Sequence, residues 1–190
     1  DSSVTVWEQF FTVAPLVRVG TRDADVSLDL APKHMVKPMG WQYYLGFVCS
    51  PRHGTCANIE RTGVFTVTYP RPSQVLYTSL AASPRDAHGD KLILDYFKTF
   101  PAKEVDGEFI DDGYLFFECR HFKTVDGFGD NCLITGEIVA AWGDGDFLRR
   151  AEADDQETIH EAPLLAYLHP GRFATIDRSN GFPFPEAMKK

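Results

Sequence analysis

Apolar and polar residues alternate with a period of two through much of the first half of the chain. Val26, Leu28 and Leu30 interleave with Ser27 and Asp29, and Phe65, Val67 and Tyr69 interleave with Thr66 and Thr68. Such alternation marks a strand with one buried and one wet face. Pro70 and Pro72 stop the second of these runs. Thr12–Gly20 is a short β-branched run whose Pro15 suits a strand start or an edge, and Thr21–Ala24 has turn composition. Tyr43–Cys49 is aromatic, apolar and strand-like. In the second half, Tyr114–Thr124 and Cys132–Trp142 are long strand candidates around the turn-like Gly127–Asp130. Leu164–Leu168 and Arg172–Ile176 flank His169-Pro170-Gly171, and the tail Phe182-Pro183-Phe184-Pro185 is expected to be extended.

Helical patterns are fewer. Thr55–Thr62 opens on a good capping residue and closes at Gly63. Gln74–Ala82 places Val75, Leu76, Ser79 and Leu80 on one side. Lys91–Phe100 carries Ile93, Tyr96, Phe97 and Phe100 at i, i+3, i+4 and i+7, which predicts an amphipathic helix ended by Pro101. About seven short strands with two or three helices, and no βαβ rhythm, predict a mainly β fold. The expected architecture is an antiparallel barrel with helices packed outside. Without repeats or a linker, residues 1–190 are expected to form a single domain.

Charge narrows the partners. Nineteen Lys and Arg against 27 Asp and Glu give a net charge of −8. That balance lacks the basic footprint nucleic-acid binding requires, while leaving room for a local pocket for one small anion. No run of apolar residues is long enough for a membrane span. Cys49, Cys56, Cys119 and Cys132 form no Cys-x-x-Cys pair and are expected to be free, buried or half-buried thiols. The first residues lack the basic and apolar regions of a secretory signal, so a cytoplasmic location is expected. A start at Asp1 instead of Met is expected of a trimmed chain or a fragment. Aromatic residues reach 13%, which raises the question of whether some ring surface serves a ligand.

The most informative local feature is Cys49-Ser50-Pro51-Arg52-His53-Gly54-Thr55, where a strand ends and a helix begins. Free backbone N–H groups and the macrodipole at a helix start attract anions. Arg52 adds planar donors, and Ser50 and Thr55 add hydroxyls, so a phosphate would fit. The same residues also fit a plain cap beside a solvated arginine. In the loop expected after the alternating strand, Lys33 and His34 could face a ligand, with Trp41, Tyr43 and Tyr44 as a ring surface. An ordinary surface loop with its rings folded onto the core is the alternative. His169-Pro170-Gly171-Arg172-Phe173 is either a site segment or a tight turn. His160-Glu161 does not continue into a zinc motif, Gly127-Phe128-Gly129 is no dinucleotide fingerprint, and Ser79 and Ser83 lack a hydrolase elbow.

In order along the chain, these motifs resemble the flavin reductase-like, FMN-binding split-barrel family, which includes flavoredoxin and the small reductase components of two-component monooxygenases. The resemblance is carried by Ala31-Pro32-Lys33, Ser50-Pro51-Arg52-His53-Gly54-Thr55 and Asn58-Ile59-Glu60-Arg61-Thr62-Gly63 before Val64-Phe65. Gly136-Glu137-Ile138-Val139, Pro163-Leu164-Leu165-Ala166-Tyr167, Gly171-Arg172-Phe173 and the Phe-Pro tail extend it from about Thr12 to the end. It implies a Greek-key split barrel and a homodimer with FMN, or FAD, near the interface. It also implies hydride transfer from NAD(P)H to flavin and onward to a redox partner or oxygenase. By position, the backbone of Ala31, Pro32 and Lys33, with His34 beside it, would hold the flavin ring. Ser50, Arg52, His53 and Thr55 would hold its phosphate, and His169 and Arg172 would lie near the flavin. No catalytic side chain is implied, because the cofactor carries the chemistry. A non-enzymatic flavin electron carrier is one alternative. A split-barrel enzyme with another phosphate-bearing cofactor, such as pyridoxal phosphate or a deazaflavin, is the other.

Overall fold

A computed structural model describes residues 4–150 and 152–185. After the short helix α1 (Val6–Gln9) come β1 (Thr12–Pro15), β2 (Val17–Arg22), β3 (Leu28–Lys33), β4 (Val36–Pro38) and β5 (Tyr44–Cys49). Helix α2 (Gly54–Thr62) leads into β6 (Val64–Pro70), and α3 (Val75–Leu80) follows. The short strands β7 (Thr99–Pro101) and β8 (Glu108–Ile110) precede the long hairpin β9 (Gly113–Phe128) and β10 (Asn131–Gly143). Helix α4 (Asp155–Glu161) and the hairpin β11 (Leu164–His169) and β12 (Arg172–Ile176) complete the described elements.

Seven strands form one antiparallel sheet in the order β3-β2-β6-β9-β10-β5-β4. Its two edge strands, β3 and β4, are consecutive in the chain and joined only by His34 and Met35. A sheet whose first and last strands are tied this closely must curl until its edges meet. The result is a barrel with an unpaired seam between β3 and β4: the antiparallel barrel expected from the pattern, in the split form that the resemblance implies. Val17, Val19, Val36, Leu45, Phe47, Phe65, Val67 and Ile134 fill the interior, joined by Cys56 and Ile59 of α2. A second sheet, β1-β11-β12, lies beside the seam, and His34 of the link stacks on Tyr167 of β11 at 4.3 Å.

The structure corrects several expectations. The Thr12–Gly20 run divides at Leu16 into β1 and β2, which belong to different sheets. Pro15 at the end of β1 has no N–H to continue a ladder there. Strand β2 runs on through Thr21 and Arg22, and the turn falls at Asp23–Ser27, with Val26 at φ 66°. Ala31, Pro32 and Lys33 are not loop but the end of β3, paired with Val19, Arg18 and Val17. Because β3 is an edge strand, the missing N–H of Pro32 costs no ladder bond.

The predicted helix Lys91–Phe100 is a 3-10 turn over Leu92–Tyr96 followed by β7. Its apolar residues find separate tertiary partners. Phe97 lies against the buried Arg18 guanidinium, 5.5 Å from the ring centroid, whereas Phe100 packs on Phe109 and Phe116 at 5.3 Å. The acidic stretch Asp144–Asp155, expected as a solvated loop or face, contains the start of α4. Asp154 caps that helix by accepting from Gln156 N and Glu157 N at 2.7 and 3.1 Å. All four cysteines are free and buried. Among the described residues, no helix is long and apolar enough to cross a membrane.

One buried carboxylate fastens the loop before β8 to the barrel. Glu118 on β9 is fully buried and accepts from the backbone N–H groups of Lys103, Glu104 and Val105 and from the Trp142 indole at 2.7 Å. Burial by itself would raise its pKa, but these donors outweigh it and hold the carboxyl below the ordinary glutamate value of 4.5. A carboxyl with a lowered folded-state pKa contributes stability that is complete above the unfolded value and lost as pH falls through the folded one. Glu118→Gln is therefore expected to cost about 2–4 kcal/mol in urea unfolding at pH 7. The variant should also lose stability less steeply than the native chain below about pH 4.5.

Candidate functional site

A cavity of about 370 Å³ opens where the seam meets the N-terminus of α2. Ala31, Pro32 and Lys33 of β3 form one wall, and Arg52, His53, Gly54 and Thr55 form the second. Residues 81–85 after α3, together with Asp29 and Lys91, form the third. Six residues singled out from the sequence thus converge on one hollow: Ala31, Pro32, Lys33, Arg52, His53 and Thr55.

Helix α2 starts at His53 without a side-chain cap. The first backbone bonds to its opening turn come from Cys56 N and Ala57 N, both donating to His53 O. The N–H groups of Gly54 and Thr55 have no partner among the described residues. Both residues face the cavity, and the space beside the Gly54 Cα is open. Orphan donors at a helix start, at the positive end of its dipole, make an anion site.

Lys33 sets the character of this site. It is 8% exposed, and the only hydrogen-bond partner of its ammonium among the described residues is the Cys49 thiol, with Nζ 3.3 Å from Sγ across the seam. No carboxylate among the described residues pairs with it. Burying an ammonium without a counter-charge is costly, and a bound anion removes that cost. The His53 pKa is lowered by burial first and then by the Lys33 and Arg52 charges, so its imidazole is neutral at pH 7. Arg52 contributes less, because its side chain is 78% exposed and meets Asp130 at 3.3 Å in solvent.

Two acidic residues hold the third wall. Asp29, nearly buried, receives Arg85 at 3.2 Å and Lys91 at 3.3 Å, and Arg85 also pairs with Asp23. Asp23 accepts in addition from Asn58 Nδ2 of α2 at 2.8 Å. This clamp ties α2, the β2–β3 turn and residues 85–91 into one unit around the cavity. Arg85 and Lys91 were not singled out in the sequence. Their partners lie 56 and 62 residues away, and no local motif marks such pairs.

The remaining candidates lie elsewhere. Ser50 Oγ accepts from Arg52 N at 3.4 Å and shapes the turn from outside the cavity wall. His34 and His169 pack edge-on at 4.6 Å, and both contact Tyr167. The His34 pKa is lowered by burial, then by His169 and Lys33. Arg172 is exposed on β12. Trp41, Tyr43 and Phe173 are also exposed, and Tyr44 packs on Phe122 at 5.0 Å.

The thiols beneath α2 are unsuited to nucleophilic work. Cys56 Sγ lies 3.9 Å from Cys132 Sγ, and burial together with Cys132 pushes the Cys56 pKa up to about 12. A larger hollow of about 1170 Å³ lies between α4 and residues 179–184 and contains none of the sequence candidates.

Residues 12–176 match the flavin reductase like domain. The chain belongs to the flavin reductase-like family. Solved structures agree on the fold. The 2-nitrobenzoate 2-nitroreductase NbaA of Pseudomonas fluorescens superposes with a TM-score of 0.80 at 16% identity, covering 100% of this chain and 96% of its own. A flavoredoxin from Methanosarcina acetivorans gives 0.74 at 21% identity, over 100% and 94%. An FMN-binding protein from Thermus thermophilus gives 0.73 at 17% identity, over 90% and 91%. No curated protein sequence matches significantly.

The clamp can be tested apart from any ligand. Asp29→Ala leaves Lys91 and Arg85 without their shared carboxylate and is expected to destabilise the fold by about 3 kcal/mol in urea unfolding. Lys33→Met keeps the length of the side chain and removes the uncompensated charge. It is expected to unfold at the same or a higher urea concentration than the native chain.

Proposed function

We propose that this chain is a single flavin-binding domain that binds the flavin phosphate between Lys33 and the start of α2, and that it reduces flavin with NAD(P)H. The observation that carries this reading is the Lys33 ammonium, buried without a carboxylate partner among the described residues, in the same cavity as the N–H groups of Gly54 and Thr55, which have no partner among those residues either. Membership of the flavin reductase-like family supports a flavin over other phosphate-bearing cofactors.

The residues present fit a phosphomonoester dianion. Gly54 and Thr55 supply backbone donors, Lys33 supplies the buried charge, Arg52 closes the solvent side, and neutral His53 can donate without adding charge. The free backbone edge of β3 at Ala31 and Pro32 lies where hydrogen bonds could orient the ring. When bound, the flavin supplies the hydride-accepting centre, and the protein contributes binding, orientation and electrostatics. The electrons then pass to a redox partner or an oxygenase. A homodimer fits the exposed rings Trp41, Tyr43, Phe122 and Phe128, and a cytoplasmic location suits a nicotinamide-dependent reaction.

Two measurements test this reading. The purified protein titrated with FMN should bind it stoichiometrically, and anaerobic NADH or NADPH should bleach the flavin absorbance. Binding without bleaching by either nucleotide would leave an electron carrier in place of a reductase. Lys33→Met should weaken FMN by about 10–100-fold, as expected for a lost charge-assisted bond. Arg52→Ala should weaken it by no more than about fivefold, as expected for an exposed charge. Unchanged FMN affinity in Lys33→Met would remove the phosphate from this cavity.

A further inference from the structure

We propose that a hollow at the end of the β9–β10 hairpin away from its turn is a binding site for a small aromatic carboxylate. Its volume is about 280 Å³, and Phe100, Pro101, Phe116 and Trp142 supply its apolar walls. Lys103 and Asp144 are the charged residues that line it. None of these six lines the cradle between Lys33 and α2. The inference therefore goes beyond the flavin reading and does not rest on it.

The walls are fixed before any ligand arrives. Phe100 and Phe116 pack at 5.3 Å, and both meet the buried Phe109, at 5.3 and 5.4 Å. The opposite side hangs on Glu118. That buried carboxylate accepts from the Trp142 indole at 2.7 Å and from Lys103 N at 3.0 Å. It thereby ties the indole and the lysine backbone to one point. Walls held in place in this way lower the ordering cost of binding.

Charge selects the ligand's polar end. Lys103 Nζ stands 4.1 Å from the centroid of the Trp142 ring. Among the described residues its ammonium has no hydrogen bond and no carboxylate partner, so its N–H groups are free for a ligand. Asp144 is already committed, because its carboxylate pairs with Arg71 and accepts from Asp146 N at 3.2 Å. The hollow thus offers one uncommitted positive charge beside aromatic walls, which matches a monoanion. A phosphate dianion would lack the cluster of donors it needs, and Asp144 disfavours a second negative charge nearby.

Shape selects the other end. At the packing density of protein interiors, about 0.75, a hollow of about 280 Å³ holds roughly 200 Å³ of ligand. One six-membered ring, or two fused rings, with a short acidic arm fills that space. A flat ring among Phe100, Phe116 and Trp142 gains edge-to-face and stacked contacts that an aliphatic chain does not.

Isothermal titration of the purified protein with phenylacetate tests the site, beside 2-phenylethanol, which keeps the ring and loses the carboxylate. Phenylacetate is expected to bind saturably and at least about threefold more tightly than the alcohol, as for a charge pair open to solvent. Lys103→Met should remove that preference, and Lys103→Arg should keep it. Both variants retain the backbone N–H that Glu118 holds. In a Trp7→Phe/Trp41→Phe background Trp142 is the remaining tryptophan, and its fluorescence should change along the same binding curve. No saturable binding, equal affinity for acid and alcohol, an unaltered preference in Lys103→Met, or a silent Trp142 overturns the site. So does competition between phenylacetate and FMN, which would put the acid in the cradle. Failure of FMN to bind overturns the flavin reading alone and leaves this site standing.

Discussion

The two-residue link between β3 and β4 is the constraint from which the rest of the molecule follows. It makes the outermost strands of a seven-stranded sheet immediate neighbours in sequence, so the sheet has to curl and cannot close its last ladder. An unpaired seam in an otherwise hydrogen-bonded barrel leaves free backbone and room for a polar side chain in the interior. Lys33 occupies that room at the end of β3 and reaches the thiol of Cys49 at the end of β5. Directly after Cys49 the chain turns into α2. The same geometry that opens the barrel therefore brings an uncompensated cation and a bare helix start to one place.

The seam alone would be a polar defect, and the acidic clamp turns it into a walled cavity. Asp23 and Asp29 sit on either side of the β2–β3 turn and gather Asn58, Arg85 and Lys91, which come from distant parts of the chain. The clamp satisfies its own charges, so Arg85 and Lys91 contribute shape and oriented donors more than net attraction. Lys33 is different, because no carboxylate among the described residues neutralises it. Stability favours a paired or absent charge at that position, whereas anion binding favours the charge that is there. Such a conflict between folding and local chemistry is what a functional site looks like in physical terms.

Much of this was legible in the sequence. Period-two alternation marked β3 and β6, and proline and glycine punctuation placed the β9–β10 and β11–β12 hairpins. The strand-to-helix step at Cys49–Thr55 marked the place where α2 begins and the cavity opens. Tertiary competition defeated the local signals elsewhere. The helical spacing of Ile93, Tyr96, Phe97 and Phe100 is real, but Phe97 covers Arg18 and Phe100 packs with Phe109 and Phe116, and no helix serves both. The three residues of β4 are too few to carry a period. Arg85 and Lys91 act through carboxylates about sixty residues away, and spacing along the chain holds no trace of that pairing. Lys33 was a candidate to face a ligand, with an ordinary surface loop as the alternative, but its burial without a carboxylate partner among the described residues is a property of the fold alone.

The claim that a flavin phosphate rests on the start of α2 beside Lys33 is tested most directly by following the backbone amides of Gly54 and Thr55 by NMR during parallel titrations with FMN and riboflavin. The two ligands differ only in the phosphate. The account predicts that FMN shifts both amide resonances strongly downfield and binds far more tightly, while riboflavin leaves them in place. Equal affinities for the two flavins, with both amides unmoved at saturation, would contradict it.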